Sequence, residues 1–224
     1  MDELRSAVRR VLNRAFAGSL PDNQPQVTAF SMLLALEFGG RFTSTSPVLV
    51  GAPKKEKTKQ IIQSQDMRYE HMERMVDFLL VDRQSETLDL PVLTCESEAC
   101  GDHSPYYGFS LAPNWKGKLE PANGYVWDFR KMLHFRAPHL LFVGRAVKNR
   151  HDKLKETLVQ CAREYRTVWT GSHLHVVLLP CGRTERRRVQ LGKAFGDQEL
   201  TFKPLDLSAV APRQNQFAQG FTLG

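Results

Sequence analysis

The chain has 224 residues, 42% of them hydrophobic and 25% charged; these values exclude a low-complexity or fibrous chain and allow one domain with a sizeable core. Set against 24 Asp and Glu, the 31 Lys and Arg leave a formal net charge of +7, which favours an anionic partner, most simply nucleic acid. The start MDELRSAVRR lacks the apolar core of a signal peptide, and MLLAL, HLLFVG and HVVLLP fall far short of the roughly 20 residues of a membrane span, so a soluble, cytoplasmic protein with no membrane partner is expected.

Taken in chain order, Leu4, Val8, Val11, Leu12, Ala15 and Phe16 recur at helical spacing, with Arg5, Arg9, Arg10 and Arg14 opposite, and predict an amphipathic helix ending at Gly18. VTAFSMLLALEF predicts a second, more buried helix closed by Gly39 and Gly40. Residues 1–40 form an N-terminal helical region, expected to pack on an α/β core of residues 41–224 or to mediate a homodimer. In that core, FTSTSPVLVGAP has room for a short strand, KKEKTK reads as a charged surface, and IIQSQDMRY suits a strand. VDFLLVD and LPVLTCESE, residues 76–82 and 90–98, are strands joined closely enough to form an antiparallel hairpin. A long Gly-, Pro- and aromatic-rich segment follows, of the kind that is functional or disordered in compact domains.

DFRKMLHFRA then predicts a helix with Asp128 as N-cap, Phe129, Met132, Leu133 and Arg136 on one face, and Pro138 as its stop. HLLFVGRA and HLHVVLLPC are buried strands flanking a helix over NRHDKLKETLVQCAREYRT, and ELTFKPLDL alternates weakly near the end. Strands in a run, then strands alternating with helices, indicate a mixed α/β sheet covered by helices.

The stretch DLPVLTCESEACG poses the chemical question. Side chains alternate along a strand, so Val92, Thr94, Glu96 and Glu98 face one way and Leu93, Cys95 and Ser97 the other. With the hairpin turn centred near Glu86 and Thr87, Asp77 falls opposite Glu96. Three carboxylates, Asp77, Glu96 and Glu98, therefore gather at the hairpin mouth. Their repulsion and desolvation call for compensation. A hard divalent cation would supply it, Mg²⁺ first and Mn²⁺ as a substitute. Alternatively, Glu96 and Glu98 are solvated at a strand end or pair with Arg74 and Arg130.

VDFLLVD, a turn, LPVLTCESE and then a helix bearing DFRKML resemble the core of the PD-(D/E)xK nuclease superfamily, the restriction-endonuclease-like fold. The resemblance covers roughly residues 60–148. It implies a mixed β-sheet flanked by helices and Mg²⁺-dependent phosphodiester hydrolysis of nucleic acid, DNA ahead of RNA. Asp77 matches the motif Asp and Glu96 the first acid of D/E-x-K. Glu98 stands at the lysine position, as in E-x-E variants, and Lys131 is where a lysine migrated to the following helix would come from. Val76 stands where the family has proline. The acid that the family often carries on its first helix would be Glu37 or Glu70. Asp77, Glu96, Glu98 and Lys131 are thus the implied catalytic set, Asp77 and Glu96 the implied metal ligands. A catalytically inactive protein on the same fold, binding nucleic acid or a protein, is the alternative.

The cations expected to meet phosphates are Arg74, Arg130, Arg145, Lys148, Arg186 and Arg187, several of them in the basic runs GRAVKNRHDK and GRTERRR, which otherwise read as solvated faces. Tyr106, Tyr107, Trp115, Tyr125 and Trp127 are placed either to stack on bases or to pin the long loop to the core. Cys95, Cys100 and His103 offer three soft ligands, with Cys181 or His173 as distant fourths, but a structural zinc site wants four at closer spacing. The four cysteines are too few for a disulfide scaffold and are expected to be reduced. His71, His134 and His139 are scattered, and His173 and His175 share a strand face, a pattern more often structural.

Overall fold

The computed structural model describes residues 2–43, 47–51, 69–71, 76–83, 89–99, 123–146, 151–180 and 188–207. Helix α1 (Asp2–Phe16) buries Leu4, Ala7, Val8, Val11, Leu12 and Ala15 and turns Arg9, Arg10 and Arg14 outward. It stops where Ala17 and Gly18 take positive φ of 46° and 76°, a backbone that suits glycine at a helix C-terminus. Helix α2 (Gln24–Gly39) starts at Asn23, whose side chain accepts the Gln26 N–H at 3.1 Å, with proline in its first turn. Unlike α1, it is apolar nearly all round, because it lies between α1 and the sheet. A short 3₁₀ turn, Gly40–Phe42, follows.

The strands are β1 (Pro47–Gly51), β2 (Tyr69–His71), β3 (Phe78–Arg83), β4 (Asp89–Glu98), β5 (His139–Ala146), β6 (His173–Pro180), β7 (Arg188–Phe195) and β8 (Thr201–Asp206). They form one mixed sheet in the order β2-β1-β3-β4-β5-β6-β7-β8. β3 runs antiparallel to β1 and β4, whereas β4, β5 and β6 run parallel. The connections between these parallel strands carry helices α3 (Asn123–Leu133), α4 (His151–Glu164) and the short α5 (Arg166–Trp169), as parallel pairing requires.

Strand alternation gives a large core on each face of the sheet, beside a small cluster of Val50, Leu79 and Val81. One face packs Leu93, Cys95, Leu141, Val143, Val177 and Leu179 beneath α1 and α2. The other packs Leu140, Phe142, Leu174, Val176 and Leu178 beneath α3, α4 and Trp169. Residues 1–40 therefore contribute α1 and α2 to a core shared with the sheet. Full burial of a side chain such as Phe30 or Phe129, both 0% exposed, is worth about 1.5–3 kcal/mol.

The hairpin, β5 and β6 lie where the sequence places them, and the weakly alternating ELTFKPLDL contains β8. The helix read from DFRKMLHFRA is corrected. Helix α3 begins at Asn123 and ends at Leu133, so Asp128 is inside it rather than at its cap, and Pro138 lies beyond its end. Phe129, Met132 and Leu133 are buried, but Arg136 lies past the helix and is exposed. Of IIQSQDMRY, only Tyr69 falls in β2, and residues 61–68 lie outside the described residues. Strand β7, RVQLGKAF, was not anticipated.

Candidate carboxylate and lysine site

The register of β3 and β4 builds the site. Phe78, Leu79 and Leu80 pair with Cys95, Thr94 and Leu93, which carries Asp77 to the level of Glu96, as the arithmetic of the hairpin predicted. Asp77 sits just before β3, and its Oδ2 accepts two hydrogen bonds from Ser97, one from N–H and one from Oγ–H, both 2.9 Å. Those bonds hold its carboxylate at the mouth of β4. Glu96 is on the α3 face of β4 and is 0% exposed. From α3, the Lys131 ammonium reaches Glu96 Oε1 at 2.9 Å and Asp128 Oδ1 at 3.2 Å. Apart from that ammonium, neither Glu96 oxygen meets a hydrogen-bond donor among the described residues.

The electrostatics are dominated by burial. Desolvation first, then the Asp77 charge, pushes Glu96 well above the ordinary carboxylate range, with Asp128 adding and Lys131 opposing. Asp77 is raised by burial too, against the two Ser97 hydrogen bonds. Burial works against the Lys131 ammonium, but Glu96 foremost, then Asp128 and Asp77, hold it above its usual value. The lysine keeps its charge because three acids face it. Glu96 is the acid whose negative charge is costliest, because it has the least water and two acidic neighbours.

Glu98, two residues further along the same strand face, is half-buried and in register with Gly144. The acids whose charges act on Glu96 are Asp77 and Asp128. Asp128 is thus a site residue that the sequence reading placed at a helix cap; its spacing of three from Lys131 was the available signal. Gln24 was also missed: its side-chain oxygen accepts the Ala99 N–H at 2.9 Å and ties the start of α2 to the end of β4. Glu37 does not reach this end. It lies thirteen residues along α2, about 20 Å away at helical rise, and pairs with Arg10 at 2.6 Å. Glu70 is in β2, beyond β1 from the hairpin.

Among the expected phosphate-binding cations, Arg130 lies 3.8 Å from Glu164 and over the Tyr165 ring, so Lys131 and not Arg130 is the counter-ion of Glu96. Arg145 is half-buried near the end of β5, one residue past the partner of Glu98. Arg74, Lys148, Arg186 and Arg187 lie outside the described residues, as do Tyr106, Tyr107, Trp115 and the side chain of Trp127. The Tyr125 hydroxyl donates to the Arg145 carbonyl. Cys95 points beneath α2, 4.0 Å from the Ser31 carbonyl oxygen, and burial raises its thiol well above the usual range. Cys100, His103 and Cys181 lie outside the described residues. Among the described residues, no trio of His, Cys, Asp or Glu is arranged to hold a metal ion, and no helix is long and apolar enough to cross a membrane.

At the opposite end of the sheet and on its other face, parallel pairing sets His139 beside His173. Phe42, His139, His173 and Phe195 stack in a row with centroid spacings of 3.9, 5.1 and 4.0 Å. His139 Nδ1 lies 3.3 Å from His175 Nε2. Glu3, Leu4, Phe38 and Lys193 join these histidines around a cavity of about 150 Å³. This row is aromatic packing at the end of the sheet away from Asp77 and Glu96.

Compared with protein-family models, curated proteins and solved structures, the chain matches none.

Proposed function

We propose that the protein is a metal-dependent phosphodiesterase acting on nucleic acid, DNA ahead of RNA, with a restriction-endonuclease-like core. One observation carries the reading: the buried Glu96 carboxylate, level with Asp77 at the hairpin mouth, meets the Lys131 ammonium at 2.9 Å. Carboxylate oxygen is the donor type that a hard cation takes. Glu96 offers a buried carboxylate met by Lys131 on one oxygen, and Mg²⁺ commonly binds through one or two carboxylates, completing its shell with water and substrate phosphate. Asp77 and Glu96 would hold the cation, Mg²⁺ or Mn²⁺. When bound, it supplies charge stabilisation at the phosphate and acidifies a water.

The chain's own residues do the rest. Ser97 fixes the aim of Asp77. Lys131, held by Glu96 and Asp128, presents a positive charge to the reacting phosphate. Glu98 or Lys131 orients the attacking water. Arg145, next to last in β5, is the described cation that would meet an adjacent phosphate.

A second reading, an inactive nuclease-fold protein that binds nucleic acid, is favoured by Lys131 already lying against Glu96 and by the missing trio of metal-holding groups among the described residues. Cleavage of single- and double-stranded DNA and RNA with Mg²⁺ or Mn²⁺ separates the two. The first reading expects cation-dependent cleavage that Asp77→Ala and Glu96→Ala each abolish while leaving the protein folded. Cleavage unchanged in both variants defeats it. Binding without cleavage by the unmodified protein supports the second.

A further inference from the structure

Lys131 touches two acids that are held differently. Glu96 is on β4 and fully buried, and among the described residues the Lys131 ammonium, 2.9 Å from Oε1, is the cation that meets it. Asp128 lies one turn before Lys131 on the same helix, so that contact needs nothing from the sheet. A hard cation seated on Glu96 would take the oxygens that the ammonium now faces. Two positive charges do not share one carboxylate oxygen without cost. The lysine side chain is long and partly exposed, 23% by side chain, and it can turn while keeping Asp128.

We propose that Lys131 is an internal counter-ion competing with the divalent cation for Glu96, and that Asp128 is the positioning residue to which it retreats when the cation binds. The proposal rests on the reading of Asp77 and Glu96 as cation ligands. Lys131 neutralises Glu96 in the metal-free protein and restrains cation entry. Once displaced, it keeps the contact with Asp128 that it already makes at 3.2 Å.

Calorimetric titration of the whole chain with Mn²⁺ alone, without nucleic acid, tests this. Lys131→Met removes the competitor, and Mn²⁺ binds on the order of tenfold more tightly. Asp128→Asn leaves the ammonium only Glu96, and Mn²⁺ binds several-fold more weakly, with partial recovery in Asp128→Glu. If Asp128 acts through the lysine, Asp128→Asn has little effect in a Lys131→Met background. An equal loss in both backgrounds means that Asp128 acts by its own charge, and the positioning role falls. Unaltered affinity in Lys131→Met overturns the competition. Circular dichroism checks each fold; if Lys131→Met does not fold, Asp128→Asn against Asp128→Glu decides, and absence of recovery counts against the proposal. If the unmodified protein and every variant fail to bind Mn²⁺, the cation-site reading fails first and this inference with it, a result distinct from binding that is indifferent to Lys131 and Asp128.

Discussion

The ammonium of Lys131 lies 2.9 Å from a Glu96 carboxylate whose side chain is 1% exposed. Sheet and helix are therefore joined at this point by an ion pair that water barely reaches on one side. Removing one partner of such a pair leaves an uncompensated charge, which costs more than removing both.

Lys131→Met is accordingly expected to destabilise the protein by about 3 kcal/mol. Adding Glu96→Gln should recover most of that loss, since the charge left behind disappears. Urea unfolding of the two single variants and the double variant measures it. Simple addition of the two single effects would show that the pair is not coupled.

Acid should loosen the histidine end of the sheet. His139 is pulled down to about 4, by burial first and then by His173 and Lys193, and burial holds His175 well below its ordinary value. An unfolded histidine titrates near 6.5, so between that pH and about 4 the unfolded chain binds more protons than the folded one. The stability is present above the window and is lost as pH falls through it. Glu3, Lys193 and His173 face the same cavity. Asp77 and Glu96, raised by burial, act in the opposite sense, but equally in a matched pair of proteins. Between pH 7 and 4.5 the unmodified protein should lose about 2 kcal/mol more than His139→Asn, read from urea midpoints. Parallel pH profiles would refute the assignment.

Gly51 supports the site from the neighbouring strand. A Cβ added there would come within 2.5 Å of the Phe78 ring and 2.6 Å of the Asp77 carbonyl oxygen. Backbone at Asp77 must then move. Gly51→Ala should cost about 1–3 kcal/mol and weaken Mn²⁺ binding, whereas Gly171→Ala, with nothing within 4 Å, should do neither. Melting curves and calorimetry report the two effects separately.

Cys95 should resist thiol reagents in the folded protein, because its thiol is wholly buried and its ionisation is suppressed by burial first, then by Asp77 and Glu96. Iodoacetamide labelling followed by peptide mass analysis should find it modified only after unfolding. Labelling in the native state would place it outside the core.

The hairpin was legible because alternation and a short connection leave few ways to pair β3 with β4, and because the apolar residues Leu93 and Cys95 select the face beneath α2. Lys131 was legible as a cation on the helix that follows. Asp128 was not, since α3 starts within NGYVW, where neither a polar cap nor an acidic first turn announces it. Strand β7 escaped notice because RVQLGKAF mixes charge and glycine with its apolar residues, and its identity comes from pairing with β6 and β8. The row of Phe42, His139, His173 and Phe195 draws on four separate elements. Only the order of strands in the sheet brings them together.

The ladder between β3 and β4 changes register between Leu80 and Val81. An extra residue on one strand takes up length that would otherwise slide the whole ribbon. On the near side of that step the two acids stay level, whatever happens to the chain beyond it. Insertions or deletions past Asp82 can thus be absorbed before they disturb Asp77 and Glu96, leaving the far tip of the hairpin free to diverge while its acidic end keeps its alignment.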